Sequence, residues 1–123
     1  MITLLILALM QQTRVEPAEA GDLDQIRMLK FSADGKTLLT AARNRVCRWD
    51  LATGKRLTRI DTSEILSADV SPDESVAAIG ESNDESFILV DLSSGNQVWR
   101  VLQDDQARFL RFSPDGKTLA EGG

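Results

Sequence analysis

The chain has no histidine and no tyrosine, a single cysteine, and aromatic residues make up only 5% of its 123 residues. Each shortage excludes something. Without histidine there is no use of the commonest general base and metal ligand, and neither a Ser-His-Asp nor a Cys-His site can be built within the chain. One cysteine cannot form an intrachain disulfide, so cysteine usage is silent on redox compartment. Cys47 lies mid-strand between Val46 and Arg48. It reads as a small buried apolar residue rather than a reactive thiol tuned by a nearby cation. With so few aromatics, the core must come mostly from Leu, Ile, Val and Ala. Basic residues are outnumbered, 14 against 19 acidic, giving a net charge of −5. A nucleic-acid surface is expected to be basic, so none is expected here. A hydrophobic content of 42% and a charged content of 27% are ordinary for a soluble globular chain, and the length suits one domain.

What the chain does have is internal repetition. Phe31-Ser-Ala-Asp-Gly-Lys-Thr-Leu returns as Val70-Ser-Pro-Asp-Glu-Ser-Val-Ala and again as Phe112-Ser-Pro-Asp-Gly-Lys-Thr-Leu. The turn aspartates Asp34, Asp73 and Asp115 are spaced by 39 and 42 residues. Trp49-Asp50-Leu51 is answered 41 residues later by Val90-Asp91-Leu92, and Thr53-Gly54 by Ser94-Gly95 at the same spacing. Ser-Pro-Asp-Gly is turn chemistry. Pro sets φ, Asp bonds back to the backbone, and Gly35 and Gly116 accept positive φ. Each turn leads into β-prone residues: Thr37–Thr40, Val76–Ile79 and Thr118–Ala120. Val46–Trp49 and Phe87–Val90 follow, and then a hairpin at Gly54 or Gly95 leads into Leu57–Ile60 or Val98–Val101. Short strands at intervals of about ten residues, punctuated by turn residues, predict antiparallel β structure. Four strands in a unit of roughly 40 residues match a propeller blade.

On these residues the chain resembles the WD-repeat family. Phe31 to Leu38, Trp49 to Lys55 and Phe112 to Leu119 carry the likeness, with Phe31, Asp34, Gly35, Trp49, Asp50, Gly54, Phe112, Asp115 and Gly116 as landmarks. In the second copy the same places hold Val70, Asp73, Val90, Asp91 and Gly95, and Asp84 stands where a turn aspartate is expected. The resemblance implies an all-β fold, a partial β-propeller of about two and a half blades of antiparallel four-stranded sheets. The predicted blades span 26–61, 65–103 and an incomplete 107–123. Family blades often bury a network of histidine, Ser or Thr, Asp and Trp. With no histidine that network cannot form, and Trp49 is expected only to pack. The Tol-type propeller repeats, which share Ser-Pro-Asp-Gly without the histidine, remain the close alternative, and Val90 leans that way.

Residues 1–25 lie outside the repeat. Ile2 to Met10 is apolar apart from Thr3, and is too short to span a bilayer, which takes roughly 20 residues. Three readings stand. Residues 1–20 form a secretory signal with Ala18-Glu19-Ala20 as the cleavage site, which implies export rather than a cytoplasmic protein. Alternatively, the run is a strand that closes a propeller, or it is the ragged start of a fragment. Arg14 to Asp24 reads as a linker. Two and a half blades fall short of the four to eight of closed propellers. The remaining blades are therefore expected from a longer chain, of which a truncated coding region leaves this piece, or from other copies completing a ring.

The expected core pairs are Leu29 with Phe31, Ala68 with Val70, and Leu110 with Phe112, each two apart on one strand face. Glu81 to Ser86 holds three acids but lacks the spacing and glycine of a calcium loop, so it reads as a solvated hairpin loop; Asp104-Asp105 reads likewise. Arg56 and Arg59 read as outer-strand cations with snorkelling stems. For Arg48 an inward position facing an acidic partner stands equally. No residue is nominated for catalysis, cofactor binding or metal ligation, and no cofactor is expected. The sequence points to a non-catalytic platform for protein–protein interaction with an unidentified protein partner. The alternative is a propeller domain of an exported hydrolase or peptidase whose chemistry lies outside these residues.

Overall fold

The computed structural model describes residues 24–83 and 85–123, together with the backbone of 5–8 and 11–14. The described secondary structure is all β. Two short strands, β1 (Leu5–Ala8) and β2 (Gln11–Arg14), form an antiparallel hairpin. Part of the apolar N-terminal run is therefore a strand, and its neighbour is β2. The expected cleavage site and Asp84 lie outside the described residues.

The first repeat copy folds as β3 (Ile26–Phe31), β4 (Thr37–Ala42), β5 (Arg45–Asp50) and β6 (Arg56–Asp61), paired in chain order as one antiparallel sheet. The second copy repeats the plan with β7 (Ile65–Val70), β8 (Val76–Glu81), β9 (Ser86–Asp91) and β10 (Gln97–Leu102). The third supplies a hairpin, β11 (Phe109–Phe112) with β12 (Leu119–Gly122). This is a partial β-propeller of about two and a half blades. Among the described residues no helix is long and apolar enough to cross a membrane. The chain divides into two compact units, Met1–Thr62 and Ser63–Gly123.

In the first unit, β4 and β5 are the buried strands because they are paired on both sides. Leu38, Cys47 and Trp49 cluster there, with Ile26 and Leu51 packed against them. Cys47 is thus the buried apolar residue its position predicts. Register places Leu29 beside Thr40 and Phe31 beside Leu38, yet Leu29 is 49% and Phe31 60% exposed. The expectation of a core pair fails here. β3 is an edge strand, and it buries Met28 on the opposite face instead. Alternation assigns residues to a face but not the face to the interior. Arg56 and Arg59 lie on the edge strand β6, as expected, and the Arg59 Nε–H donates to Asp61 Oδ1 at 2.8 Å.

In the second unit the hairpin packs on the sheet through Ala78, Phe87, Ala107 and Leu110, with Leu89, Val101, Phe112 and Leu119 around them. Val70 and Leu110 are buried, whereas Ala68 and Phe112 are half-buried. Polar bonds fix the hairpin's position. The Phe112 N–H donates to the buried Asp69 carboxylate at 2.6 Å, and Gln106 Nε2 donates to the Ser82 carbonyl at 2.6 Å. The Ser67 hydroxyl donates to the Ala107 carbonyl. The backbone comes so close there that a Cβ on Gly80 would collide with the Ala107 carbonyl oxygen. A glycine inside a strand often marks such an approach.

Candidate binding cleft

The repeated turns are built alike, and their construction follows from Ser-x-Asp. In the second copy the Ser71 hydroxyl donates to Asp73 Oδ1 at 2.7 Å, and Ser71 Oγ accepts the Val76 N–H at 3.1 Å. Asp73 Oδ1 also accepts the Ser75 N–H at 3.1 Å and the Ser75 hydroxyl at 2.7 Å. Ser32 with Asp34, and Ser113 with Asp115, repeat the serine-to-aspartate bond, each at 2.6 Å. These donors favour the ionised carboxylate. The Ser71 and Ser75 bonds lower the pKa of Asp73 to about 2. The Ser32 and Ser113 hydroxyls likewise hold Asp34 and Asp115 below the ordinary carboxylate value. At the turn position that favours glycine, Gly35 and Gly116 have φ of 71° and 72°. Glu74 takes the same left-handed conformation with φ 59°.

The second family of landmarks forms the next turn. Asp50 Oδ2 accepts the Thr53 hydroxyl at 2.6 Å, and Asp91 Oδ1 accepts the Ser93 hydroxyl at 2.6 Å. Gly54 and Gly95 close these turns at φ 73° and 75°. The Ser93 hydroxyl, chiefly, keeps the Asp91 pKa low.

Two polar contacts go beyond what the sequence predicts. The Trp49 indole N–H donates to the Thr40 hydroxyl at 3.0 Å, both residues being fully buried. The expectation that Trp49 only packs is corrected: Thr40 accepts its proton without any histidine. In the second sheet Arg100 Nη1 donates to Ser86 Oγ at 2.8 Å and to Glu81 Oε2 at 3.2 Å. Glu81 and Ser86 are buried strand ends. The solvated-loop reading therefore fails at both ends of the segment, while Asn83 and Glu85 between them are exposed. The signal available in the sequence was the end of the apolar stretch Val76–Gly80, which places Glu81 inside the strand.

Within the second unit, the Ser71–Ser75 and Ser113–Lys117 turns border a cleft of about 300 Å³. Half-buried Val76, Leu89 and Phe112 form its apolar depth, while exposed Asp73 and Asp115 stand at its rim. Gly116 packs against Pro72 there; a Cβ on it would sit 3.3 Å from the proline Cδ. The structure thus brings Asp73, Phe112, Asp115 and Gly116 together around one cavity, although the sequence singled them out only as repeat landmarks. Among the described residues no group of three or more acidic or cysteine side chains is arranged to hold a metal ion.

No family model matches this chain. Among solved structures it is similar to hydrazine synthase of Kuenenia stuttgartiensis, with a TM-score of 0.68 and 22% sequence identity. The match covers 85% of this chain and 31% of that one, so the chain spans about a third of the protein it resembles. At that identity the likeness concerns the fold.

Proposed function

We propose that this chain is a WD-repeat-like propeller segment that serves as a non-catalytic platform for protein–protein interaction. The repeated Ser-x-Asp turns and the Trp49–Thr40 bond support the family reading. The observation that carries the functional reading is the edge strand β10. It leaves Val98, Trp99 and Leu102 at 56%, 65% and 75% exposure. Tryptophan is enriched among the residues that dominate interface energies, and Trp99 stands exposed on the face of β10 opposite Leu102. An edge strand also carries unpaired backbone groups to which another chain can add. The sheet behind it is fixed by continuous pairing from β7 to β10, so a partner meets a preformed surface.

The test places a photo-crosslinking residue at position 99 of the full chain, and at exposed Lys55 as a control, in the cells that make the protein. A discrete protein adduct from position 99 and none from position 55 is the expected result. Equal, diffuse labelling from both positions, or no adduct from 99, overturns the reading.

A further inference from the structure

The cleft between the Ser71–Ser75 and Ser113–Lys117 turns has a chemistry that β10 does not share. Its depth is apolar, from Val76, Leu89 and Phe112, and its rim carries Asp73 and Asp115. In each turn the bonds to the aspartate go to one carboxylate oxygen, Oδ1: those of Ser71 and Ser75 to Asp73, and those of the Ser113 hydroxyl and the Lys117 N–H to Asp115. The second oxygen of each rim aspartate belongs to an exposed side chain. The surrounding unit is strongly acidic, with 12 Asp and Glu against 4 Lys and Arg over residues 63–123, a net charge of −8. The whole field of the unit therefore attracts cations, and a cleft with one sign of charge concentrates that attraction.

We infer that this cleft receives an arginine side chain carried by a basic segment of a partner protein. The inference rests on the platform reading above and names the chemistry of the partner. An arginine joins an apolar stem to a planar cation. The stem suits Val76 and Leu89, the guanidinium can stack on the Phe112 ring, and its fork of donors matches carboxylate oxygens. A lysine offers a more strongly hydrated point charge and no plane to stack. The turn bonds keep both carboxylates charged well below neutral pH, so the attraction is present throughout the physiological range.

The experiment uses the full chain and three small probes with one butyl stem: butylguanidinium, butylurea and pentanoate. Amide chemical shifts are followed by NMR during titration. Butylguanidinium is expected to shift Val76, Leu89 and Phe112 saturably, at millimolar concentration as befits a fragment of few atoms. Butylurea is expected to bind at least about 3-fold more weakly, and pentanoate not to bind there. Asp73→Asn and Asp115→Asn each keep a carbonyl oxygen for the turn bonds and remove the charge. Each is expected to weaken butylguanidinium about 3-fold while leaving the amide spectrum of the sheet unchanged. Absence of saturable shifts at the cleft, or equal binding of butylurea, overturns the inference. Neither result touches the crosslink at position 99, so a failure here is distinguishable from a failure of the platform reading.

Discussion

Trp49 and Thr40 are joined across the buried face of the first sheet, indole N–H to hydroxyl, at 3.0 Å. Thr40 sits opposite Cys47 in the β4–β5 register, and Trp49 lies two residues further along β5. The bond is therefore a diagonal one on a single sheet face. A buried donor left without an acceptor costs about 1–3 kcal/mol. Thr40→Val, which keeps the shape and loses the oxygen, is expected to lower urea stability by that amount. Trp49→Phe should then cost less in the Thr40→Val background than in the natural chain, with a coupling of about 1 kcal/mol. A coupling near zero would mean that the two residues only share a cavity.

Glu74 occupies the left-handed position that Gly35 and Gly116 occupy in the other two turns. A side chain there costs roughly 1–2 kcal/mol through crowding of Cβ against the following carbonyl, although glycine gives part of that back through the freer unfolded chain. Glu74→Gly is expected to raise stability by up to about 1 kcal/mol. Gly35→Ala, at a site with nothing within 4 Å of the added Cβ, should lower it by a similar amount. Gly35→Ala isolates backbone conformation from packing, whereas Glu74→Gly also removes a half-buried side chain. Calorimetric melting of both variants gives the comparison, and a destabilised Glu74→Gly would show that the glutamate side chain contributes more than its backbone costs.

Much of this architecture was legible because it is local. Ser-x-Asp-x turns bond within six residues, so reading Asp34, Asp73 and Asp115 as turn residues required no tertiary knowledge. The hairpins at Gly54 and Gly95 were legible for the same reason. Contacts that depend on register were not. Thr40 and Trp49 are nine residues apart, and only the β4–β5 pairing makes them neighbours. Glu81 and Arg100 lie 19 residues apart on strands separated by β9. Phe31 was assigned to the core by its spacing, but spacing cannot say what lies over a face. The cleft was the least legible feature, since it needs Asp73 and Asp115, 42 residues apart, to face one cavity.

Glu81 is a buried carboxylate whose partner Arg100 has a side chain 35% exposed. Removing the arginine leaves the carboxylate with the Ser86 hydroxyl nearby but without its cation. Because solvent reaches the guanidinium, the loss should fall below that of a fully buried pair, about 2 kcal/mol for Arg100→Met. Glu81→Gln in the same background removes the stranded charge and is expected to restore part of the loss. A double-mutant cycle in urea measures this. Equal stability of Arg100→Met and the double variant would show that Glu81 is solvated well enough to stand alone.

Acid should loosen the turns in a defined window. Asp34, Asp73, Asp91 and Asp115 have pKa values lowered by hydroxyl and backbone donors, Asp73 to about 2, against roughly 3.9 in an unfolded chain. A depressed folded pKa means that the unfolded state binds protons first as pH falls. Their contribution is complete above about pH 4 and is lost on descending toward pH 2. Asp61, lowered chiefly by its bond from Arg59, adds to the same trend. The melting temperature is therefore expected to be flat with respect to these groups near neutrality and to fall between about pH 4 and pH 2. In Asp73→Asn that fall should be shallower, because one of the depressed groups is gone. A carboxyl-carbon NMR titration places the midpoint of Asp73 directly. A midpoint near 3.9 would show that the Ser71 and Ser75 hydroxyls do not hold the charge in solution.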